Sequence, residues 1–208
     1  MQKKVILTDI DGVTTKWQSG LPHFLAKHNI PTDSCLDMFY TEQFKSPKDI
    51  FGCDEELANK LLIEYNNSPF IRYLSPYDDA LHVINSLKNE YDFVAITALG
   101  NATTVSLNRI ANLNSLFPSA FKEVLVVDAH ESKTKQFKYA LEKYGDRIVC
   151  YIDDLTKNLV DSEFMLSEIP DFKNIHMIRV TGNRDINPNN VTVRDWYDIA
   201  HLLGNPVK

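Results

Sequence analysis

The sequence has no apolar run approaching the roughly 18–20 residues that a membrane span needs, so no membrane partner is expected. Met1-Gln2-Lys3-Lys4 leads straight into a short strand-like run, without the longer apolar stretch and small-residue cleavage site of a signal peptide. Cysteine is scarce: Cys35, Cys53 and Cys150 are odd in number and lack the spacing of a metal site. That usage suits reduced thiols in a cytoplasmic protein. Positive charge is also short, with 22 Lys and Arg against 28 Asp and Glu for a net charge of −6. A protein that coats nucleic acid normally presents a basic face, so extended nucleic acid is not an expected partner. No Gly-x-x-x-x-Gly-Lys motif is present, which opposes a P-loop kinase. Internal repeats, low-complexity tracts and obvious flexible linkers are missing as well.

What is present is an ordinary globular composition, 208 residues of which 44% are hydrophobic and 24% charged. This suffices for one core domain plus an insertion. Five β-prone runs stand out: Val5–Thr8, Phe93–Ile96, Val124–Val127, Ile148–Ile152 and Ile175–Val180. Such continuous apolar runs mark strands buried on both faces. Helical stretches separate several of them. Asp78 to Leu87 places Leu81, Ile84 and Leu87 on one face, and Phe137, Ala140, Leu141 and Tyr144 form an i, i+3, i+4, i+7 stripe closed by Gly145. Asp195 to Leu203 reads as a closing helix. Alternating strands and helices predict an α/β fold with a doubly wound parallel sheet. Residues 15–75 break the rhythm, with no clear strand and helical pieces at His23–His28 and Glu55–Tyr65. A structureless loop of that length is improbable. The expected organisation is a catalytic core of residues 1–14 and 76–208, with a small helical cap of residues 15–75 inserted after the first strand, over the carboxyl ends of the sheet where open α/β sheets bind ligands.

The strongest local signal is Leu7-Thr8-Asp9-Ile10-Asp11-Gly12-Val13. Asp9, at a strand's end, can attack phosphorus while binding a metal. Asp11 can protonate the leaving oxygen and later deprotonate water. Gly12 permits the tight turn between them. Thr97 ends the second strand and can bind phosphate oxygens. Ser132-Lys133-Thr134-Lys135 opens the helix after the third strand. Either lysine can balance the charge of the nucleophile and the phosphoryl group, and Lys133 is preferred because it is nearer the strand end. The fourth strand ends in Asp153-Asp154, adjacent carboxylates that repel unless a positive charge sits beside them. A hard cation such as Mg²⁺ answers that need. Asp154 is favoured as the direct ligand, with Asp153 direct or water-mediated.

This order of Asp-x-Asp-Gly, Thr, Lys and Asp-Asp at successive strand ends resembles the haloacid dehalogenase superfamily over nearly the whole chain. The resemblance implies a Rossmann-like core, Mg²⁺ and an aspartyl-phosphate intermediate. It makes Asp9 the nucleophile and Asp11 the acid/base, with Thr97 and Lys133 holding the phosphoryl group. The metal would be bound by Asp9, the backbone carbonyl of Asp11, and the Asp153/Asp154 pair. A second acid two residues after the nucleophile is typical of the superfamily's phosphatases and usually lacking in its dehalogenases. Within the superfamily the chain is similar to the 5′(3′)-deoxyribonucleotidases. The features are Trp17 eight positions after the nucleophile, the stretch Met38-Phe39-Tyr40-Thr41-Glu42-Gln43-Phe44, and Tyr65 followed by Leu74-Ser75-Pro76. This implies a nucleobase enclosed by Trp17, Phe39 and Tyr65, with Tyr40 adding a contact and Ala98 replacing a second hydroxyl residue after Thr97. The expected substrate is a small phosphorylated molecule, a (deoxy)nucleoside monophosphate first and a sugar phosphate as the alternative. A non-catalytic relative binding a phosphorylated ligand or a protein is the reading from another class. A homodimer is compatible with the sequence, which does not set the oligomeric state.

Overall fold

The computed structural model describes residues 2–41, 45–100, 102–128, 131–179, 187 and 189–207. Six strands, β1 (Lys4–Thr8), β2 (Tyr91–Ala98), β3 (Phe121–Val127), β4 (Ile148–Asp153), β5 (Lys173–Met177) and β6 (Val191–Val193), form one parallel sheet in the order β3-β2-β1-β4-β5-β6. Successive strands are laid outward from β1 on one side, then from β4 on the other. The winding therefore reverses between β1 and β4, and the crevice beyond their carboxyl ends is where such sheets take ligands.

Period-2 alternation sorts the side chains of each strand to opposite faces. Ile6, Phe93, Ala95, Cys150 and Ile152 pack under α5 (Asp78–Leu87), the C-terminal end of α6 (Thr103–Leu116) and α9 (Trp196–Leu202). Val5, Leu7, Val94, Ile96 and Tyr151 pack under α7 (Thr134–Tyr144) and α8 (Thr156–Leu166). The anticipated doubly wound parallel sheet is thus observed. Helix α5 coincides with its expected range, Gly145 stands at the C-terminus of α7 with φ 52°, and Asp195 caps α9 through the amide of Asp198. The fifth strand starts two residues earlier than expected and ends at Met177; Val180, expected to close it, lies outside the described residues. Strand β6 was not anticipated, being three residues beside an asparagine-rich stretch with little apolar signal.

Between β1 and α5 the described residues form helices and turns: α1 (Leu21–Lys27), α2 (Asp33–Thr41), α3 (Pro47–Phe51) and α4 (Glu55–Asn67), flanked by 3-10 turns at Trp17–Gly20 and Pro69–Tyr73. Ser46 and Asp54 cap α3 and α4 by accepting from Asp49 N and Leu57 N. This helical insertion has an aromatic cluster of its own, with Phe24, Phe51 and Tyr65 buried together, and it meets the core through Leu99, just past β2, and Val105 on α6. No helix among the described residues is long and apolar enough to cross a membrane.

Candidate active site

The carboxyl ends of β1 and β4 deliver acids into one crevice because the two strands are hydrogen-bonded neighbours. Asp9 is one residue past β1, its amide donating to Ile152 O at 2.8 Å, and Asp153 is the last residue of β4. Asp9, Asp153 and Asp154 are all buried, and each offers an oxygen within 4.8 Å of the others. Lys133 reaches into this group from the N-terminus of α7. Its Nζ lies 2.6 Å from Asp9 Oδ1, 2.8 Å from Asp153 Oδ2 and 3.0 Å from the Tyr151 hydroxyl. Lys135, two residues on and about 200° further round the helix, is exposed and lies beside Val124–Val126 and Tyr139. The geometry therefore selects Lys133 of the two lysines.

The acidic pair divides its labour. Asp153 is held by donors on every side: Lys133, Tyr151, Leu155 N at 2.8 Å, and Asn158 Nδ2 at 3.1 and 3.0 Å from its two oxygens. Asp154 lines the cavity instead, and its carboxylate lies over the Asp-x-Asp-Gly turn. A Cβ on residue 12 would come within 2.8 Å of Asp154 Oδ2, and Gly12 has φ +82°, so both space and backbone require glycine there.

Asp11 also lines the cavity, but its carboxylate is gripped from behind. Arg109 Nη2 lies 2.7 and 2.6 Å from its two oxygens, and Thr15 Oγ1 donates to Oδ1 at 3.2 Å. Thr97, at the end of β2, faces the same space; its buried hydroxyl has no hydrogen-bond partner among the described residues. An orphaned buried hydroxyl is costly unless something binds it, and a phosphoryl oxygen would.

Four carboxylates, Asp9, Asp11, Asp153 and Asp154, thus face two buried cations, Lys133 and Arg109. Burial pushes the Asp9 carboxyl well above its ordinary range. Lys133 pulls it down, while Asp153, Asp154 and Asp11 push it further up. Burial would lower Lys133, but Asp153 and Asp9 outweigh that and hold the ammonium above its ordinary value. An excess of two negative charges among hard oxygen donors is the environment a divalent cation relieves.

The cavity, about 580 Å³, continues from these groups to the insertion, where Trp17, Lys45, Ile50, Leu62 and Asn66 line it with Ala98 and Leu99. Of the aromatic residues expected to enclose a base, the structure brings Trp17 to this space and leaves the others elsewhere. Tyr65 is fully buried behind Trp17: the rings meet edge-on at 5.0 Å and the phenol donates to Trp17 O at 2.6 Å. Phe39 and Tyr40 face outward on α2, 37% and 88% exposed, because that helix turns Cys35 and Met38 into the insertion's core. Glu42, Gln43 and Phe44 lie outside the described residues. Beside the cavity-lining Lys45, Ile50, Leu62 and Asn66, three groups around the acidic cluster escaped the sequence reading. Tyr151 is two residues before Asp153 on the same face of β4, a relation that strand periodicity contains. Asn158 and Arg109 sit on α8 and α6, helices whose apolar stripes are interrupted by these buried polar residues, and that interruption was the available signal.

No described protein-family profile matches the sequence. An uncharacterised 32.4 kDa protein of Enterobacteria phage T4, from the Gp30-rIII intergenic region, is 49% identical over 205 residues, covering 98% of this chain and 71% of that protein. Among solved structures, a haloacid dehalogenase-like hydrolase from Streptococcus pneumoniae superposes with a TM-score of 0.64 at 10% identity, covering 96% of this chain and 98% of its own. The HAD-hydrolase YfnB of Bacillus subtilis, bound to magnesium, gives 0.63 at 17% identity over 98% and 100%. An L-2-haloacid dehalogenase from Xanthobacter autotrophicus gives 0.63 at 12% over 99% and 100%.

Proposed function

For a chain that belongs to one family with the uncharacterised phage T4 protein and is built on the haloacid dehalogenase-like fold, we propose the function of a phosphomonoester hydrolase working through an aspartyl-phosphate. The observation that carries the reading is the buried set of Asp9, Lys133, Asp153 and Asp154, which joins a nucleophile, a fixed cation and a cluster of oxygen donors suited to a divalent metal.

An Asp9 carboxylate oxygen attacks phosphorus and forms a new P–O bond while the bond to the leaving oxygen breaks. Asp11 gives its proton to that leaving oxygen. Lys133 offsets the charge of the nucleophile and the phosphoryl group in transit, and the Thr97 hydroxyl donates to a phosphoryl oxygen. In the second half, Asp11 takes a proton from a water as its oxygen bonds to phosphorus. The P–O bond to Asp9 breaks, and inorganic phosphate leaves. Asp9, Asp154 and the backbone carbonyl of Asp11 would hold Mg²⁺, with Asp153 setting Lys133 and the turn into α8 from behind. When bound, the ion supplies charge neutralisation and Lewis-acid polarisation of the phosphoryl group. Asp11 and the acidic cluster favour this reading over dehalogenation, although haloacid dehalogenases share the fold.

For the substrate we favour a (deoxy)nucleoside monophosphate. The Trp17 indole, fixed by Asn66 Oδ1 at 3.0 Å, lines a cavity of suitable size for a base. A small sugar phosphate is the second reading, because one indole encloses a base less fully than the expected set of Trp17, Phe39 and Tyr65 with Tyr40 as a further contact. Phosphate release should be followed on a panel of nucleoside monophosphates and sugar phosphates, with Mg²⁺ and with chelator, beside Asp9→Asn. Turnover that requires the metal and vanishes in the variant is the expected result. Metal-independent turnover, or an active Asp9→Asn, would reject the mechanism.

A further inference from the structure

Helix α6 bears three buried polar residues at i, i+1 and i+4: Asn108, Arg109 and Asn112. The asparagines hold the segment by which the insertion returns to the sheet. Asn108 donates to Ser68 O at 3.1 Å and accepts from Arg72 Nη2 at 3.1 Å; Asn112 donates to Arg72 O at 3.2 Å and Leu74 O at 2.9 Å. Arg109 holds the outgoing segment, through Asp11 at 2.6 and 2.7 Å and Thr15 Oγ1 at 3.3 Å. The two crossings are also tied to each other, Lys16 N donating to Ser75 O at 2.8 Å and Tyr77 N to Thr14 O at 3.1 Å. One face of one helix therefore fixes both crossings and the carboxylate that lies at the start of the first. The Arg109 side chain has no exposed surface, whereas Asp11 is 17% exposed and opens on the cavity. A guanidinium is costly to bury without a partner that offsets the loss of water, and Asp11 is that partner.

We propose that Arg109 is a positioning residue, aiming the Asp11 carboxylate and keeping it in register with the attachment of the helical insertion. The inference rests on the hydrolase reading above. Without Arg109, attack by Asp9 remains possible, but proton delivery to the leaving oxygen and proton removal from water both suffer. Alkyl esters feel both losses. Aryl esters, whose leaving oxygen needs no proton, feel only the second and stall as the aspartyl-phosphate.

The test compares Arg109→Met, Arg109→Lys, Asp11→Asn and the Asp11→Asn/Arg109→Met double variant on an alkyl phosphate and on p-nitrophenyl phosphate, with pre-steady-state sampling. Arg109→Met should lower alkyl-phosphate kcat by about 10- to 100-fold, part of the ~10²–10⁴ that general acid–base catalysis supplies, with KM nearly unchanged. On the aryl ester it should give a burst approaching one nitrophenol per enzyme, then slow turnover. Arg109→Lys should recover part of the loss, and the double variant should be no slower than Asp11→Asn, since residues acting through one group do not add. Asn112→Ala, which loosens only the return crossing, should lower the melting temperature without a burst. Wild-type kinetics in folded Arg109→Met, equal losses on both esters without a burst, or multiplicative losses in the double variant would overturn the proposal. If the wild-type enzyme hydrolyses neither ester while Asp9→Asn is equally silent, the hydrolase reading falls and takes this inference with it.

Discussion

The strand-end crescent and the helical insertion face the same cavity, yet they are built on opposite principles. The crescent concentrates charge where water is scarce: Asp9, Asp153, Asp154 and Lys133 are each buried, and Lys133 bridges Asp9 and Asp153. The insertion concentrates aromatic surface, most of which it spends on itself. Phe24, Phe51 and Tyr65 pack together, and Trp17 turns to the cavity. A strand end constrains its side chains tightly, because pairing with two neighbours fixes position and period 2 fixes direction. A helix fixes only the relative angle of its residues, and the face it buries depends on its packing partners. Chemistry should therefore be intolerant of change in the crescent, while recognition by the insertion should rest on few residues.

The largest expected effect tests the first half of that contrast. Asp9→Asn should cut turnover by on the order of 10⁴-fold or more, as removal of a covalent nucleophile does. Its melting temperature should not fall, since the substitution keeps the shape and removes the cost of burying a carboxylate, which with the repulsion from Asp153, Asp154 and Asp11 outweighs the attraction of Lys133 that is lost. Calorimetry beside the activity assay checks both, and a destabilised variant would show that the acidic cluster is not under electrostatic strain.

Metal removal comes next. Chelation should abolish turnover, and adding Mg²⁺ should raise the melting temperature near neutral pH. The sign follows from Asp9, whose carboxyl is raised above its ordinary value. In the interval between its ordinary and raised values, folded Asp9 keeps a proton that the unfolded chain has released. The metal-free protein therefore loses stability as pH rises through that interval. A cation favours the ionised form, so its stabilisation should grow with pH across the same interval and shrink below it. A melting shift independent of pH would place the metal elsewhere.

Gly12→Ala probes the joint between turn and acid. The positive φ and the 2.8 Å approach to Asp154 should cost about 1–3 kcal/mol of stability, and the displaced carboxylate should raise the Mg²⁺ concentration needed for half-maximal activity. Loss of stability with unchanged metal dependence would separate Gly12 from the ion.

The smallest effects decide the second half of the contrast. Trp17→Ala should reduce nucleotide turnover about 10-fold, within the ~1–3 kcal/mol that stacking on an aromatic ring provides, and affect a small generic ester less. Phe39→Ala and Tyr40→Ala should change either rate less than about twofold, as exposed residues away from the cavity do. A large effect at Tyr40 would mean that α2 turns toward the substrate during the reaction.

The parallel sheet and the acids at its carboxyl edge follow from local sequence alone. Apolar runs such as Val5–Leu7 and Ile148–Ile152 have one use in an α/β chain, and polar residues that follow such runs must emerge at the strand ends. The choice between neighbours belonged to the tertiary structure. Lys133 rather than Lys135 meets Asp9 because α7 is rotated by its own buried stripe of Phe137, Ala140 and Tyr144. Asp154 rather than Asp153 opens on the cavity because Tyr151, Lys133 and Asn158 close around Asp153. Arg109 meets Asp11 across 98 residues of chain. Local pattern carries no information about that meeting, which arises only when α6 is packed against the point where the chain leaves the sheet and returns to it.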